Sequence, residues 1–256
     1  MIEYRIIIRF KIYTFNNNSD IAMIRHIGVI LDGNRRFARQ IMKRPWEGHK
    51  VGLIKARQVL QWACEAGIKY ITAYVLSHEN NSTRPKKELG FILKYLGMET
   101  ENILENANHV VHKFNVRVRF IGRISVLPKQ LQKKMKLVEE LTKKYKKCAL
   151  NIAVAYGGQQ ELVDAMKKIL EKGLKGIISP AQLNEKILKE HLYTNGQPEP
   201  DMIFRTGGEK RLSNFLPFQS AYSELIFTDR KWPELTKKDF QDAIEEFESR
   251  KRRFGS

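Results

Sequence analysis

The chain reads as a single α/β domain with a mostly parallel, six-stranded central sheet flanked by helices. Two observations predict this class. Short apolar segments alternate along the chain with segments whose apolar residues recur at helical spacing, the order expected of a parallel sheet covered by crossover helices. No internal repeat and no long linker divides the 256 residues, a length that suits one large domain burying roughly 70–75% of its unfolded surface.

Strands are predicted at 27–31, 70–76, 116–121, 149–155, 201–204 and 223–227. Between the first two, residues 48–66 place Leu53, Ala56, Leu60, Ala63 and Cys64 on one helical face, and Gly67 closes the helix. The segment 85–112 carries the most apolar helical stripe, including Leu89, Ile92, Leu93, Leu96, Ile103, Leu104, Ala107 and Val111. Such a stripe either packs a core or lines a channel for a long lipid chain, and spacing alone does not choose between them. Further helices fit 127–147, 158–172, 180–190 and 236–252. Residues 1–23 read as a peripheral extension, with loose alternation over 8–13 suggesting an added edge strand before an Asn-rich linker. The remaining 24–256 read as the functional domain.

Lys and Arg number 46 against 28 Asp and Glu, giving a net charge of +18, which calls for an acidic partner. Lysines crowd the 127–147 helix, among them Lys129, Lys133, Lys136, Lys143 and Lys144, as a solvated face or one drawn to anionic lipid headgroups. A single aromatic residue, Tyr145, lies among them, too few for a row of base-stacking platforms, which argues against nucleic acid. Cys64 and Cys148 sit in apolar contexts and read as buried reduced thiols of a cytoplasmic protein. No apolar run approaches the ~20 residues of a membrane span.

The most informative stretch is 26–36, HIGVILDGNRR, where an apolar strand changes abruptly to Asp32, Gly33, Asn34, Arg35 and Arg36. In an open parallel sheet ligands bind beyond the carboxyl ends of the strands. Gly33 and Asn34 tolerate a backbone that turns N–H groups toward an anion, Arg35 and Arg36 add bidentate donors, and Asp32 can hold a divalent cation. His49 opens the next helix, where free N–H groups and the dipole favour a phosphate. The second strand ends in Ser77, His78, Glu79 and Asn80, followed by Arg84 at a helix start. Farther along, Arg205, Arg211 and Ser213 surround a Gly207-Gly208 turn suited to one highly charged anion, and Glu224 adds a carboxylate near the following strand, suited to a metal or to orienting an arginine.

Taken together, these segments resemble the cis-prenyltransferases, the family of undecaprenyl and dehydrodolichyl diphosphate synthases, over about residues 24–255. The motifs that carry the resemblance are HIGVILDGNRRFA, the strand ending SHEN, NIAVAYGG at 151–158, RTGGEKRLSNF and the terminal RRFG. The resemblance implies a homodimer that adds isopentenyl diphosphate repeatedly to an allylic diphosphate, with cis double bonds, using an apolar tunnel between sheet and helices. It implies Mg²⁺ at Asp32, with Glu224 completing the metal site near the dimer interface. Gly33, Asn34, Arg35, Arg36 and Phe37 would hold the allylic diphosphate, with His49 beside the phosphates. Asn80 would position the group that removes a proton from the isopentenyl unit, assisted by Ser77 and Arg84. Arg205, Arg211 and Ser213 would hold isopentenyl diphosphate, and Arg253 and Gly255 of the C-terminal element would reach that site across the dimer. The product would enter a membrane, so peripheral contact at the inner membrane face is expected.

The sequence also departs from the family pattern. Asn81 stands where an aromatic residue is usual, one residue is inserted before Arg84, and a phosphate-binding arginine of many bacterial members falls at Pro45. The Asn-Arg-Arg form of the first motif looks archaeal or eukaryotic, which favours geranylgeranyl over farnesyl diphosphate as primer. No Asp-Asp pair occurs, so the paired-carboxylate metal motifs of the trans-prenyltransferases are excluded.

Overall fold

The structure, a computed structural model, describes residues 24–44 and 46–250. The 1–23 extension with its expected edge strand, Pro45, and the terminal Arg253 and Gly255 lie outside the described residues.

Among the described residues six strands form one sheet: β1 (His26–Ile30), β2 (Tyr70–Ser77), β3 (Val116–Ile121), β4 (Cys148–Tyr156), β5 (Met202–Arg205) and β6 (Glu224–Phe227). Their order is β3-β4-β2-β1-β5-β6 and every neighbouring pair is parallel. All five residues of β1 are buried, as expected of a central strand covered on both faces. The sequence places all six strands within two residues of these bounds, because each is a compact apolar run between polar turns.

The helices are α1 (Asn34–Gln40), α2 (Glu47–Glu65), α3 (His78–Thr83), α4 (Lys86–Glu105), α5 (Val110–Lys113), α6 (Lys129–Thr142), α7 (Gly158–Leu174), α8 (Glu185–His191) and α9 (Lys237–Ser249). Two expectations change. The helix expected over 85–112 breaks into α4 and α5, because the Asn106 side chain accepts from Asn108 N at 3.0 Å and His109 then caps α5 through Val111 N. The helix expected over 127–147 stops at Thr142, so most of its second lysine cluster follows the helix. The short helices α1 and α3 replace what read as polar turns at strand ends.

The border strand β3 turns N–H groups outward, and α6 covers them. Thr142 Oγ1 accepts from Val118 N at 3.0 Å and Glu139 Oε1 from Phe120 N at 2.7 Å. Cys64 and Cys148 meet as buried free thiols where α2 ends and β4 begins.

At the amino ends of the strands, the buried His26 ring donates from Nδ1 to Pro198 O at 2.7 Å and accepts from Thr72 Oγ1 at 2.8 Å; Asn151 Nδ2 donates to the same hydroxyl at 2.9 Å. Burial lowers the ring pKa from 6.5 to about 4, outweighing the Pro198 hydrogen bond and the Asp201 charge. Between those two values the unfolded chain binds the extra proton, so stability falls as pH drops from 6.5 through 4, by about 3 kcal/mol in all. Urea midpoints measured across this range should fall accordingly, and the fall should be shallower in His26→Gln. An identical slope in that variant would assign the effect to other groups.

Candidate active site

The strand order reverses at β1, which has β2 on one side and β5 on the other, and the crevice beyond their carboxyl ends is where an open α/β sheet binds ligands. Ile30 lies level with Arg205, so Asp32, just past β1, meets Arg205 at the end of β5. Arg205 is only 4% exposed. It donates from Nη2 to Asp32 Oδ2 at 2.9 Å, from Nη1 to Ser213 Oγ at 2.9 Å, and to Arg211 O. Asp32 Oδ1 accepts from Gly33 N at 2.6 Å and lies 3.2 Å from Arg36 Nη2.

Two glycines make this corner possible. Gly33 has φ +106 and a Cβ there would lie 2.7 Å from Lys231 Cβ. Gly207 has φ +88 and a Cβ would lie 2.7 Å from Arg36 Nη2. A side chain at Gly207 would occupy the space in which Arg36 lies against Asp32.

A second charged group forms between α2 and the start of α4. Glu88, 3% exposed, turns Oε1 toward Arg84 Nη1 at 2.9 Å, His49 Nε2 at 3.3 Å and Arg35 Nε at 3.7 Å. Burial lowers the His49 pKa, with Arg84 and Arg35 adding to it and Glu88 opposing, so the neutral ring is favoured. Burial also lowers the Arg84 pKa from its usual value. Ser77 caps α3 by accepting from Asn80 N at 3.0 Å, which fixes Asn80 at the end of β2.

These groups ring the mouth of a cavity of about 640 Å³. Asp32, Gly33, Asn34, Arg35, Arg36, His49, Ser77, Asn80, Arg84, Arg205, Arg211 and Ser213 all line it, so most of the residues singled out in the sequence converge. Away from the mouth the lining becomes apolar, with Leu53, Ala56, Leu60, Ile92, Leu96 and Ile103 from α2 and α4 facing Ile71, Val75 and Ile152 of the sheet. The α4 stripe therefore lines a channel along part of its length as well as packing the core. Asn34 Oδ1, Arg84 Nε and Arg205 Nε are buried at this cavity without a hydrogen-bond partner, an arrangement that suits a polar ligand.

Two expected residues are placed elsewhere. Phe37 is half-buried on α1, about 200° around the helix from Arg35, and does not line the cavity. Glu224 is the first residue of β6, level with Met202, whereas Arg205 is level with Phe227 at the other end of that strand. Glu224 pairs instead with Arg250 at 2.9 Å. Within one chain it does not approach Asp32, and the register of β6 is the reason.

Sequence reading missed Glu88, Glu209 and Tyr74. The i,i+4 spacing of Arg84 and Glu88 at a helix start was the available signal for the first. Glu209 binds Arg211 at 2.5 Å and lies 3.8 Å from Arg36. Tyr74 donates toward Ser213 O and Tyr156 O, both at 3.2 Å, and props the loop that carries Ser213 at φ +51.

Residues 30–255 match the sequence profile of the family described as "Putative undecaprenyl diphosphate synthase". The chain is 43% identical to a tritrans,polycis-undecaprenyl-diphosphate synthase (geranylgeranyl-diphosphate specific) of Methanocaldococcus jannaschii, over 98% of this chain and 94% of that one. It is 45% identical to the protein of the same name from Archaeoglobus fulgidus, over 90% and 91% of the two chains. Among solved structures, lavandulyl diphosphate synthase from Lavandula x intermedia, in complex with dimethylallyl diphosphate, superposes with a TM-score of 0.86 at 31% identity, covering 91% of this chain and 99% of that one. A probable undecaprenyl diphosphate synthase from Campylobacter jejuni gives a TM-score of 0.74 at 33% identity, with the same coverage. With its all-parallel sheet and its arginine-rich mouth above an apolar channel, the chain belongs to the undecaprenyl diphosphate synthase family of cis-prenyltransferases.

Proposed function

We propose that this enzyme condenses isopentenyl diphosphate repeatedly onto geranylgeranyl diphosphate, giving a long polycis-polyprenyl diphosphate that serves as precursor of a glycosyl carrier lipid. The observation that carries the reading is the Asp32–Arg205 contact, which sets two arginine-rich loops side by side at the mouth of one apolar cavity. The archaeal relatives named for geranylgeranyl diphosphate, together with the Asn-Arg-Arg motif, support that primer over farnesyl diphosphate.

In this reading Asn34, Arg35 and Arg36 hold the allylic diphosphate, and Arg205, Arg211 and Ser213 hold isopentenyl diphosphate. The allylic C–O bond breaks, diphosphate leaves, and the isopentenyl double bond forms the new C–C bond to the allylic carbon. A proton then leaves the isopentenyl unit toward a base that Asn80 and Ser77 position, with the neutral His49 ring available to pass it on. Arginines fixed by Asp32 and Glu88 before the reaction stabilise charge as it develops on the leaving group, and the apolar channel keeps water from the allylic cation.

The donor set fits Mg²⁺ shared between protein and substrate. Asp32 and Glu209 are carboxylates at the mouth, and no group of three His, Cys, Asp or Glu side chains capable of holding a metal occurs among the described residues. Mg²⁺ is commonly bound through one or two carboxylates plus substrate phosphates, and bound at Asp32 it would neutralise the departing diphosphate. Glu224, displaced from this chain's own cavity, is assigned to a site shared across a homodimer.

The homodimer is supported by an apolar stripe exposed along α7 and beyond it: Val163, Met166, Leu170, Leu174 and Ile177. Leu137 and Leu141, exposed among the lysines of α6, support peripheral contact with an anionic membrane on the cytoplasmic side. No helix among the described residues is long and apolar enough to cross one.

The test is incorporation of radiolabelled isopentenyl diphosphate into extractable lipid, with farnesyl and geranylgeranyl primers side by side and with or without EDTA. Label should enter lipid with the geranylgeranyl primer and stop when EDTA is present. No incorporation with either primer in the presence of Mg²⁺ would overturn the reading.

A further inference from the structure

The motif NIAVAYGG at 151–158 ends in a glycine pair that takes no part in the chemistry above. These glycines lead into α7, and the N-cap position of that helix makes no side-chain capping bond. Asn214 supplies the cap from a distant segment. Its Oδ1 accepts from Gln159 N at 2.9 Å and its carbonyl oxygen accepts from Gly158 N at 2.8 Å. The glycines admit this approach. A Cβ at Gly157 would lie 2.7 Å from Asn214 Nδ2, and one at Gly158 would run into the Pro217 ring.

The same amide holds two more partners. Asn214 Nδ2 donates to Gln160 Oε1 at 3.1 Å and to Glu79 Oε1 of α3 at 2.8 Å. Tyr74 of β2 donates to Ser213 O at 3.2 Å and stacks on the buried Phe215, with ring centres 4.7 Å apart. The loop is thus pinned by three elements where Ser213 and Asn214 take φ +51 and +64. Non-glycine residues keep such a backbone only where their surroundings impose it, and Asn tolerates it better than most. Neither Asn214 nor Glu79 lines the cavity, yet each adjoins a residue that does, Ser213 and Asn80 respectively.

Resting on the reading that Ser213 holds isopentenyl diphosphate and Asn80 positions the base that takes its proton, we propose that Asn214 is a positioning residue that sets those two groups in register. The Asn214–Glu79 hydrogen bond joins the loop that carries one to the helix that carries the other. Without it α3 is free to shift against the loop, and an isopentenyl unit anchored by its diphosphate no longer meets both groups at once. The allylic diphosphate rests on Asn34, Arg35 and Arg36 of α1 and does not depend on this link.

Radiolabel incorporation by the intact enzyme, with each substrate varied in turn, tests the clamp. Asn214→Asp sets one carboxylate against another and should raise the KM for isopentenyl diphosphate about tenfold, the scale of one lost hydrogen bond to a charged group. The KM for the allylic primer should not change. Adding Glu79→Gln restores a donor and an acceptor with their roles exchanged, and the isopentenyl KM should return toward the wild-type value. Glu79→Ala, at an exposed position where the fold tolerates truncation, should raise the isopentenyl KM alone. An equal rise in both KM values, no rise in either, or no recovery in the double variant would overturn the role. Absence of incorporation by the unaltered enzyme counts against the proposed function instead, whereas an active enzyme indifferent to these substitutions counts against the clamp alone.

Discussion

Asp32→Asn should lower turnover by about 10²–10³-fold while leaving the fold in place. The substitution preserves volume and one acceptor oxygen, so the Gly33 N–H and one guanidinium can still be satisfied. What it removes is the negative charge that faces Arg205 at 2.9 Å and Arg36 at 3.2 Å. Arg205, almost fully buried, then loses the partner that aims it, and the Mg²⁺ proposed at the mouth would lose a protein ligand. Radiolabel incorporation measures the loss of turnover, and a thermal melt close to that of the wild type separates it from unfolding. A variant retaining most of its turnover would place the metal and the orienting charge elsewhere.

Glu88→Ala should be the more damaging change to stability. One buried carboxylate oxygen faces Arg84, His49 and Arg35, and without it positive groups confront each other with no negative partner at that point. Removing one member of a buried ion pair costs roughly 3–5 kcal/mol, and the partial exposure of Arg35 argues for the lower end, about 3 kcal/mol. For a domain of this size the melting temperature should drop by roughly 6–12 °C. Inorganic diphosphate should raise the melting temperature of Glu88→Ala more than that of the wild type, because the anion substitutes for the missing charge and binds only the folded state. Equal shifts in the two proteins would mean that Glu88 does not compete with phosphate for these cations.

The strands and the long helices were legible because each is a local pattern: compact apolar runs such as 70–76, or an apolar stripe such as that of 48–66. The helices α1 and α3 were not, since His78–Thr83 contains no apolar residue and its start is set by Ser77 receiving the Asn80 N–H across a strand end. The residues at the mouth could be named because their types announce phosphate chemistry. Glu88 could not, because its partners come from three separate segments and only the packing of α1, α2 and α4 brings them together. Glu224 shows another case: its residue type suited a metal or an arginine, and the register of β6 sets it against Arg250, away from this chain's own cavity.

The Thr142 and Glu139 contacts to β3 bear on how molecules of this protein meet. With those amide groups satisfied internally, no second sheet can template itself on that border and propagate. In the homodimer proposed above, association would instead use a face such as the α7 stripe, and a two-fold contact of that kind closes on itself as a finite particle, not a fibre.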